Sequence, residues 1–406
     1  MEITPILMAL RRNSLGAFLI GLQIAVTLAI VCNALSIIQQ RLERTHRPSG
    51  LDEQNIFTLR NQWVGQPEDL GVRIREDLSA MRSLPGVIDA VATESYPLNG
   101  RGPSAGVSFT AEQRRSKAST SYYMVDEHGL AAFGVRLVAG RAFTADEIRQ
   151  FRSTDTYIPS FVIVTRALAA NLFPGGDALG KNIYLLSSRA PTRIVGIVER
   201  CQTPLAATSW GEPFVENSAF LPAQLVDTKL SYIVRTRVGQ RDTLMQVAPG
   251  KLLQLSRQRI IDNVTAFSET RARAYHGDRA LSLILGSVCA LLLTVTAFGV
   301  IGLTSYWVAQ RRTQIGVRRA LGARKIDILR YFHVENLLIA GSGGVLGIVV
   351  GIAGNLWLAT SLQLTRMNIG FIGLDAAIVF TLSQAAVVWP AWRAARTPPA
   401  IAARGA

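Results

Sequence analysis

Four long apolar runs divide this chain, at residues 15–38, 280–308, 337–358 and about 374–392. A helix needs about 20 apolar residues to cross a bilayer core, so each run is a candidate span. The first is interrupted only by Gln23 and Asn33. Between the first and second runs the pattern changes. Residues 55–60 (NIFTLR) read as a strand, 70–83 have the spacing of an amphipathic helix closed by Pro85-Gly86, and 87–93 read as a second strand. Strand, helix and strand recur at 230–237, 242–257 and 263–267. The stretch between is rich in glycine, proline and short strands, among them 161–164, 181–186 and 192–198. These patterns predict a membrane α-helical protein with four transmembrane helices plus a large α+β extracytoplasmic domain made of two subdomains. The central subdomain, about 100–225, is expected to be inserted in the β-α-β subdomain formed by its flanks. That requires residues 55–95 and 230–267 to pack together.

Charge fixes an orientation. The formal net charge is +15 although only 17% of residues are charged. Outside residues 41–278, 14 Lys/Arg stand against 4 Asp/Glu. The excess therefore lies beside the apolar runs, which argues against a nucleic-acid partner. Arg11 and Arg12 precede the first run. Arg311, Arg312, Arg318, Arg319, Arg324, Lys325 and Arg330 lie between the second and third, against a lone Asp327; Arg393, Arg396 and Arg404 follow the fourth. The link between the third and fourth runs carries only Arg366. Positively charged loops stay inside, and four spans place all three basic regions there. The expected segments are 1–14 cytoplasmic, 15–40 helix, 41–279 outside, 280–309 helix, 310–336 cytoplasmic, 337–360 helix, 361–373 a short outside link, 374–392 helix and 393–406 a cytoplasmic tail. A cleaved signal peptide is the alternative for the first run, but its apolar stretch exceeds the ~7–15 residues of a signal core.

Within the third run Gly343, Gly347 and Gly351 recur at steps of four, with Asn355 continuing the row. They stack on one helix face and permit close backbone approach, although glycine is also simply common in membrane helices. Asp375 lies at the edge of the fourth run, where an interfacial position is the plainer reading. Residues 175–182 (GGDALGKN) approach the phosphate-cradling G-x-x-x-x-G-K-[ST] loop, but Asn182 replaces the hydroxyl. A helical pattern precedes it and a strand follows, the reverse of the required order. No Cys/His spacing suggests a metal, and no nucleophile–base pair stands out.

The basic loop after the second run reads AQRRTQIGVRRALGARKIDILRYFHVENLLIAGSGGVLG. Its apolar and cationic stripes suit either an amphipathic helix on anionic membrane lipid or a docking element. Residues 312–323 (RTQIGVRRALGA), with Glu335 and the glycine-rich span behind them, resemble the signature of FtsX-like ABC transporter permeases. The tail 390–396 (PAWRAAR) followed by Pro398-Pro399-Ala400 resembles that family's ending. Residues 140–143 (GRAF), 172–181 (LFPGGDALGK) and 195–198 resemble the MacB-type periplasmic core. Gln314 stands where relatives often carry an acid.

The resemblance implies a bacterial inner-membrane permease with residues 41–279 in the periplasm. It implies no cofactor on this chain, with ATP and Mg on a separate ABC ATPase, because only about 14 residues precede the first span here. Arg312, Ile315, Gly316, Arg318, Arg319, Ala320, Leu321, Gly322 and Ala323 would couple to that ATPase, and Gly343, Gly347 and Gly351 would pack helices. Further implied partners are a second permease chain, in a homo- or heterodimer, and a periplasmic adaptor with an outer-membrane channel. The expected function is export or extraction of a peptide, an antibiotic-like compound or a lipoprotein by transmitted motion. Two alternatives stand beside it: a regulator that activates a cell-wall hydrolase, and an extracytoplasmic ligand sensor. Four charge-poor spans favour mechanical transmission over a polar channel.

Overall fold

The computed structural model describes residues 14–362 and 369–395, except 66, 112, 114, 153, 154, 156, 186, 187, 209–211, 312, 314, 316, 318–321 and 323. The chain divides into two compact units, one of His46–Gly277 and one combining Met1–Thr45 with Asp278–Ala406. Helix α1 (Ser14–His46) opens the described chain. The β-rich unit then runs β1 (Ile56–Trp63), α2 (Leu70–Arg82), β2 (Val87–Thr93), β3 (Ser104–Ser108), β4 (Ala118–Val125), α3 (Gly129–Phe133), β5 (Leu137–Gly140), β6 (Arg149–Phe151) and β7 (Phe161–Thr165). It continues with α4 (Arg166–Leu172), β8 (Asn182–Leu185), β9 (Thr192–Val198), β10 (Ser218–Leu225), β11 (Lys229–Thr236), α5 (Arg241–Leu255), β12 (Arg259–Ala266) and α6 (Phe267–Ala274). Helices α7 (His276–Gln310), α8 (Lys325–Leu362) and α9 (Ile369–Ala395) follow.

The flanking strands form one sheet in the order β12-β1-β11-β2, antiparallel throughout. Residues 55–95 and 230–267 thus pack together. Side chains alternate across a strand, and here both faces are buried. Phe57 and Leu59 of β1, Ala90 and Ala92 of β2, and Tyr232 and Val234 of β11 share a core with Leu70, Ile74 and Leu78 of α2 and Leu244, Ala248 and Leu252 of α5. The spacing of four in each helix brings one stripe onto the sheet. Burying each such Leu, Ile or Phe contributes about 1.5–3 kcal/mol.

The intervening strands form a second sheet whose order β4-β3-β8-β9-β7-β10 is closed by a parallel β10–β4 pairing. Strand β5 hangs on β9, and β6 on β10. On one side of this ring Val162, Val164, Ile194 and Leu221 pack with Leu168 and Leu172 of α4. The other alternating set, including Tyr123, Ile163, Val198 and Phe220, shares a core with Ile56, Val91 and Ile233 of the four-stranded sheet. The two sheets are therefore joined by a common apolar core.

Strand β12 begins at Arg259, earlier than the alternation at 263–267 indicates. A register shift between Thr58 and Arg60 marks a bulge, and Asn263 sits in it with φ +49°. The extra residue breaks the period of two that a sequence reading relies on. The GGDALGKN segment lies between α4 and β8, a helix-to-strand turn.

Among the described residues of the helical unit three helices are long and apolar enough to cross a membrane: Leu15–His46, His276–Gln310 and Lys325–Trp357. Helix α9 carries a shorter described apolar stretch, Ala377–Val388. Helix α8 begins at Lys325, so the second half of the basic loop is continuous with the third apolar run. Asp375 and the link at 363–368 lie outside the described side chains.

Candidate functional site

The candidate site lies where α7 ends and α8 begins. Helical bonding continues past Gln310: the Arg311 amide donates to the Trp307 carbonyl at 3.0 Å, and the Ile315 amide to that of Arg311 at 2.9 Å. Ile315 is buried with Trp307, Ile328, Phe332, Ile20 and Ile24, while Thr313 and Val317 are exposed. Gly322 follows with φ +98°, a left-handed conformation that favours glycine. The start of α8 is fixed by Asp327, whose Oδ2 accepts from the Arg324 amide at 2.9 Å. This is half of a capping box, and the carboxylate also complements the positive helix end.

Across this junction, Arg311 Nη1 donates to both oxygens of Glu335, at 3.2 and 3.1 Å, and to the Tyr331 hydroxyl at 3.2 Å. The two charged side chains are 12% and 3% exposed. A buried ion pair is costly to break by removing one partner. The pair therefore clasps the end of α7 to α8. Of the residues the sequence singles out, Ile315 and Gly322 belong to this region. Arg312, Gly316, Arg318, Arg319, Ala320, Leu321 and Ala323 lie outside the described residues, as does Gln314.

The glycine row faces α1. A Cβ on Gly343 would lie 2.5 Å from the Gly21 carbonyl oxygen, and one on Gly347 would lie 2.7 Å from that of Ala25. At Gly351 the nearest atom would be Ala29 Cα at 3.4 Å. Gly21, Ala25 and Ala29 also recur at steps of four, so small residues on both helices let the backbones approach. The contact ends in amides: Asn33 Nδ2 donates to the Gly351 carbonyl at 3.1 Å, and Asn355 Nδ2 to Asn33 Oδ1 at 3.3 Å.

A further polar set holds α1 to α7 and α8 to α9, and apolar periodicity did not expose it. Gln23 Nε2 donates to the Val295 carbonyl at 3.2 Å, and the Thr27 and Thr296 hydroxyls share a hydrogen bond of 2.7 Å. Asn336 Nδ2 donates to the Ser383 carbonyl at 3.3 Å, and His333 Nδ1 lies 3.2 Å from Gln384 Oε1. An Arg41–Asp278 ion pair joins the end of α1 to the start of α7. The one sequence signal was the spacing of four between Gln23 and Thr27.

The model of the FtsX-like permease C-terminal region matches residues 286–399, and that of the MacB-like periplasmic core domain matches residues 17–263. The macrolide export ATP-binding/permease protein MacB of Azoarcus sp. (strain BH72) is 26% identical over 422 aligned residues, covering 98% of this chain and 58% of that protein. The protein of the same description from Chromobacterium violaceum is 26% identical over 351, covering 85% of this chain and 51% of its own length. The chain thus spans about half the length of these curated relatives. The crystal structure of the periplasmic region of MacB from Actinobacillus actinomycetemcomitans aligns with 53% of this chain and 90% of its own, at 15% identity and a TM-score of 0.29.

Proposed function

Because this chain belongs to the family of ABC transporter permeases with a MacB-like periplasmic core and an FtsX-like C-terminal region, we propose that it transmits the motion of an ATPase on a partner chain to its β-rich unit. A permease subunit of this kind is not itself a catalyst. Its four apolar helices cross the bacterial inner membrane with both termini and residues 310–336 in the cytoplasm, and residues 41–279 in the periplasm. The two sheets of the periplasmic part act as two subdomains. ATP and Mg bind the partner ATPase, which docks on Arg312, Ile315, Gly316, Arg318, Arg319, Ala320, Leu321, Gly322 and Ala323.

The observation that carries this reading is the Arg311–Glu335 clasp. With α7 and α8 tied at that point, a push on the basic segment moves both helices together. The backbone contact of Gly343, Gly347 and Gly351 with α1 passes the displacement on. Helices α1 and α7 are in turn tied by Arg41 and Asp278, close to where the chain enters and leaves the β-rich unit. Transmission of this kind needs no polar channel. A second permease chain completes the assembly, and a periplasmic adaptor with an outer-membrane channel extends it. The cargo is a peptide, an antibiotic-like compound or a lipoprotein.

The test replaces Arg318 and Arg319 together with Glu. We expect loss of transport and of ATPase co-purification, with normal membrane insertion. An ATPase that stays bound to the variant as to wild type would remove the basic segment from its assigned role.

A further inference from the structure

A cavity of about 570 Å³ opens in the β-rich unit, where the four-stranded sheet meets the turns at 94–101 and 204–208. Sites for small organic ligands occupy about 300–1,000 Å³. Among the described residues its wall carries four cations, Arg60, Arg101, Lys229 and Arg273, and one carboxylate, Glu94. Two of the cations are partly engaged. Arg60 lies 3.7 Å from Asp262, and Arg273 donates to Thr265 Oγ1 at 3.0 Å. The side chains of Arg101 and Lys229 are exposed and have no hydrogen bond or ion pair among the described residues. Tyr96 and Leu98, 6% and 3% exposed, also line the cavity with the buried Pro204, each presenting a small apolar surface.

Backbone conformation singles out the same place. Leu98 (φ 65°) and Asn263 (φ 49°) are the non-glycine residues with left-handed backbones among those described, and both line this cavity. Such a conformation is costly for leucine and persists only where the surroundings enforce it; it recurs at ligand sites. Here the Leu98 amide donates to the Thr203 carbonyl at 3.3 Å and the Gly100 amide to that of Pro204 at 3.0 Å. Arg101 directly follows this strained turn, and Lys229 begins β11; both line the cavity.

We infer that this cavity is a binding site for a compact organic anion with an apolar body, of the carboxylate-ended peptide class. Arg101 and Lys229 bind the carboxylate, and Tyr96, Leu98 and Pro204 cover the apolar part. That the ligand is transported cargo rests on the permease reading above; that it binds does not.

The experiment uses the full-length chain in amphipol without nucleotide or ATPase. The probe is a dansylated Leu-Leu-Phe tripeptide with a free C-terminal carboxylate, compared with its C-terminal amide by fluorescence anisotropy. The acid is expected to bind at least about tenfold more tightly than the amide, and the preference should shrink as salt rises. Arg101→Glu with Lys229→Glu should abolish that preference, and the milder Arg101→Ala with Lys229→Ala should reduce it. Arg136→Glu, outside the cavity and paired with Glu199, should leave it intact. Equal binding of acid and amide by wild type, or an undiminished preference in both double variants, overturns the site. A chain that binds the acid yet associates with no ATPase overturns the permease reading and leaves the site standing.

Discussion

The chain buries an arginine–carboxylate pair in each of its two units, and the two differ in what surrounds them. In the β-rich unit Arg259 Nη1 meets Asp77 Oδ2 at 2.6 Å, with both side chains 1% exposed. The Tyr232 hydroxyl donates to the same oxygen at 2.7 Å, and the Arg259 guanidinium lies 3.9 Å from the centre of the Trp63 ring. Even so, Asp77 Oδ1 and Arg259 Nε have no partner among the described residues. Burial pushes the Asp77 carboxyl above the usual carboxylate range, although Arg259 and Tyr232 both hydrogen-bond to it. In the helical unit Arg311 satisfies both oxygens of Glu335 and also meets Tyr331. The first pair joins α2 to β12 inside a core that the sheet already fixes. The second joins two helices across the segment that would receive a push. Under the proposed function, the same chemistry serves cohesion in one unit and transmission in the other. Removing a charge should unfold the first and uncouple the second.

The sharpest way to break this contrast is Asp77→Ala, which leaves Arg259 charged and buried. A loss of about 3–5 kcal/mol is expected in the stability of the β-rich unit, read as a large drop in its thermal transition in the full chain. Asp77→Leu combined with Arg259→Met should recover most of it, because an apolar pair removes both desolvation costs. A double variant as unstable as the single one would show that the pair is needed for more than its charge balance. Next in size is Gly347→Leu, whose side chain would start 2.7 Å from the Ala25 carbonyl. Overpacking of about 1–3 kcal/mol should lower the transition of the helical unit alone; unchanged assembly and activity would refute the packing role of the row.

Glu335→Gln keeps the hydrogen-bonding shape and removes the charge. About a tenfold loss of coupled activity is expected, equivalent to about 1.4 kcal/mol, with the β-rich transition unmoved. If that variant instead unfolds the protein, the contrast between the two pairs disappears. The smallest effect belongs to Arg141 and Glu147, where hydrogen bonding to Arg141 holds the Glu147 carboxyl below its usual 4.5. A lowered acid contributes stability that is fully present above its unfolded value and lost as pH falls through the folded one. Arg141 is 48% exposed, so solvent screening leaves this contribution under about 1 kcal/mol. Glu147→Gln should flatten that small acid-side slope in a pH series of melts.

Periodicity carried the sequence reading far where one pattern dominates a segment. Strands β2 and β9 occupy the spans marked for them, because β-branched residues fill four of the seven positions in the first and five of the seven in the second. Strand β12 was only half legible, since polar Asp262 and the bulged Asn263 disguise its first half. The ring closure was not legible, because β4 and β10 pair across 97 residues, the separation of Ser121 and Ser218. In the helical unit the apolar run located α8 but not its start at Lys325. Of the buried pair in the helical unit, Glu335 was visible as part of a motif, and its partner Arg311 was one cation among seven. The hydrogen bonds of Gln23, Thr27, Asn336 and Ser383 depend on which helices are neighbours, which a one-dimensional pattern does not encode. Leu98 gave no signal at all: leucine is an ordinary apolar residue until a turn forces its backbone.

The interleaving of the two sheets has a consequence for how the protein is made. Strands β1 and β2 leave the ribosome well before β11, which lies between them in the finished sheet. Asp77 waits longer still, for an arginine 182 residues downstream. At about 5–20 residues per second, that interval is on the order of ten seconds. Throughout it, helix α2 carries a carboxylate without its cation, and β1 and β2 offer bare edges. Non-local pairing of this kind folds slowly and is exposed to aggregation. Each newly made chain therefore passes through a period in which neither this sheet nor its buried ion pair can be completed, which closes when Arg259 arrives.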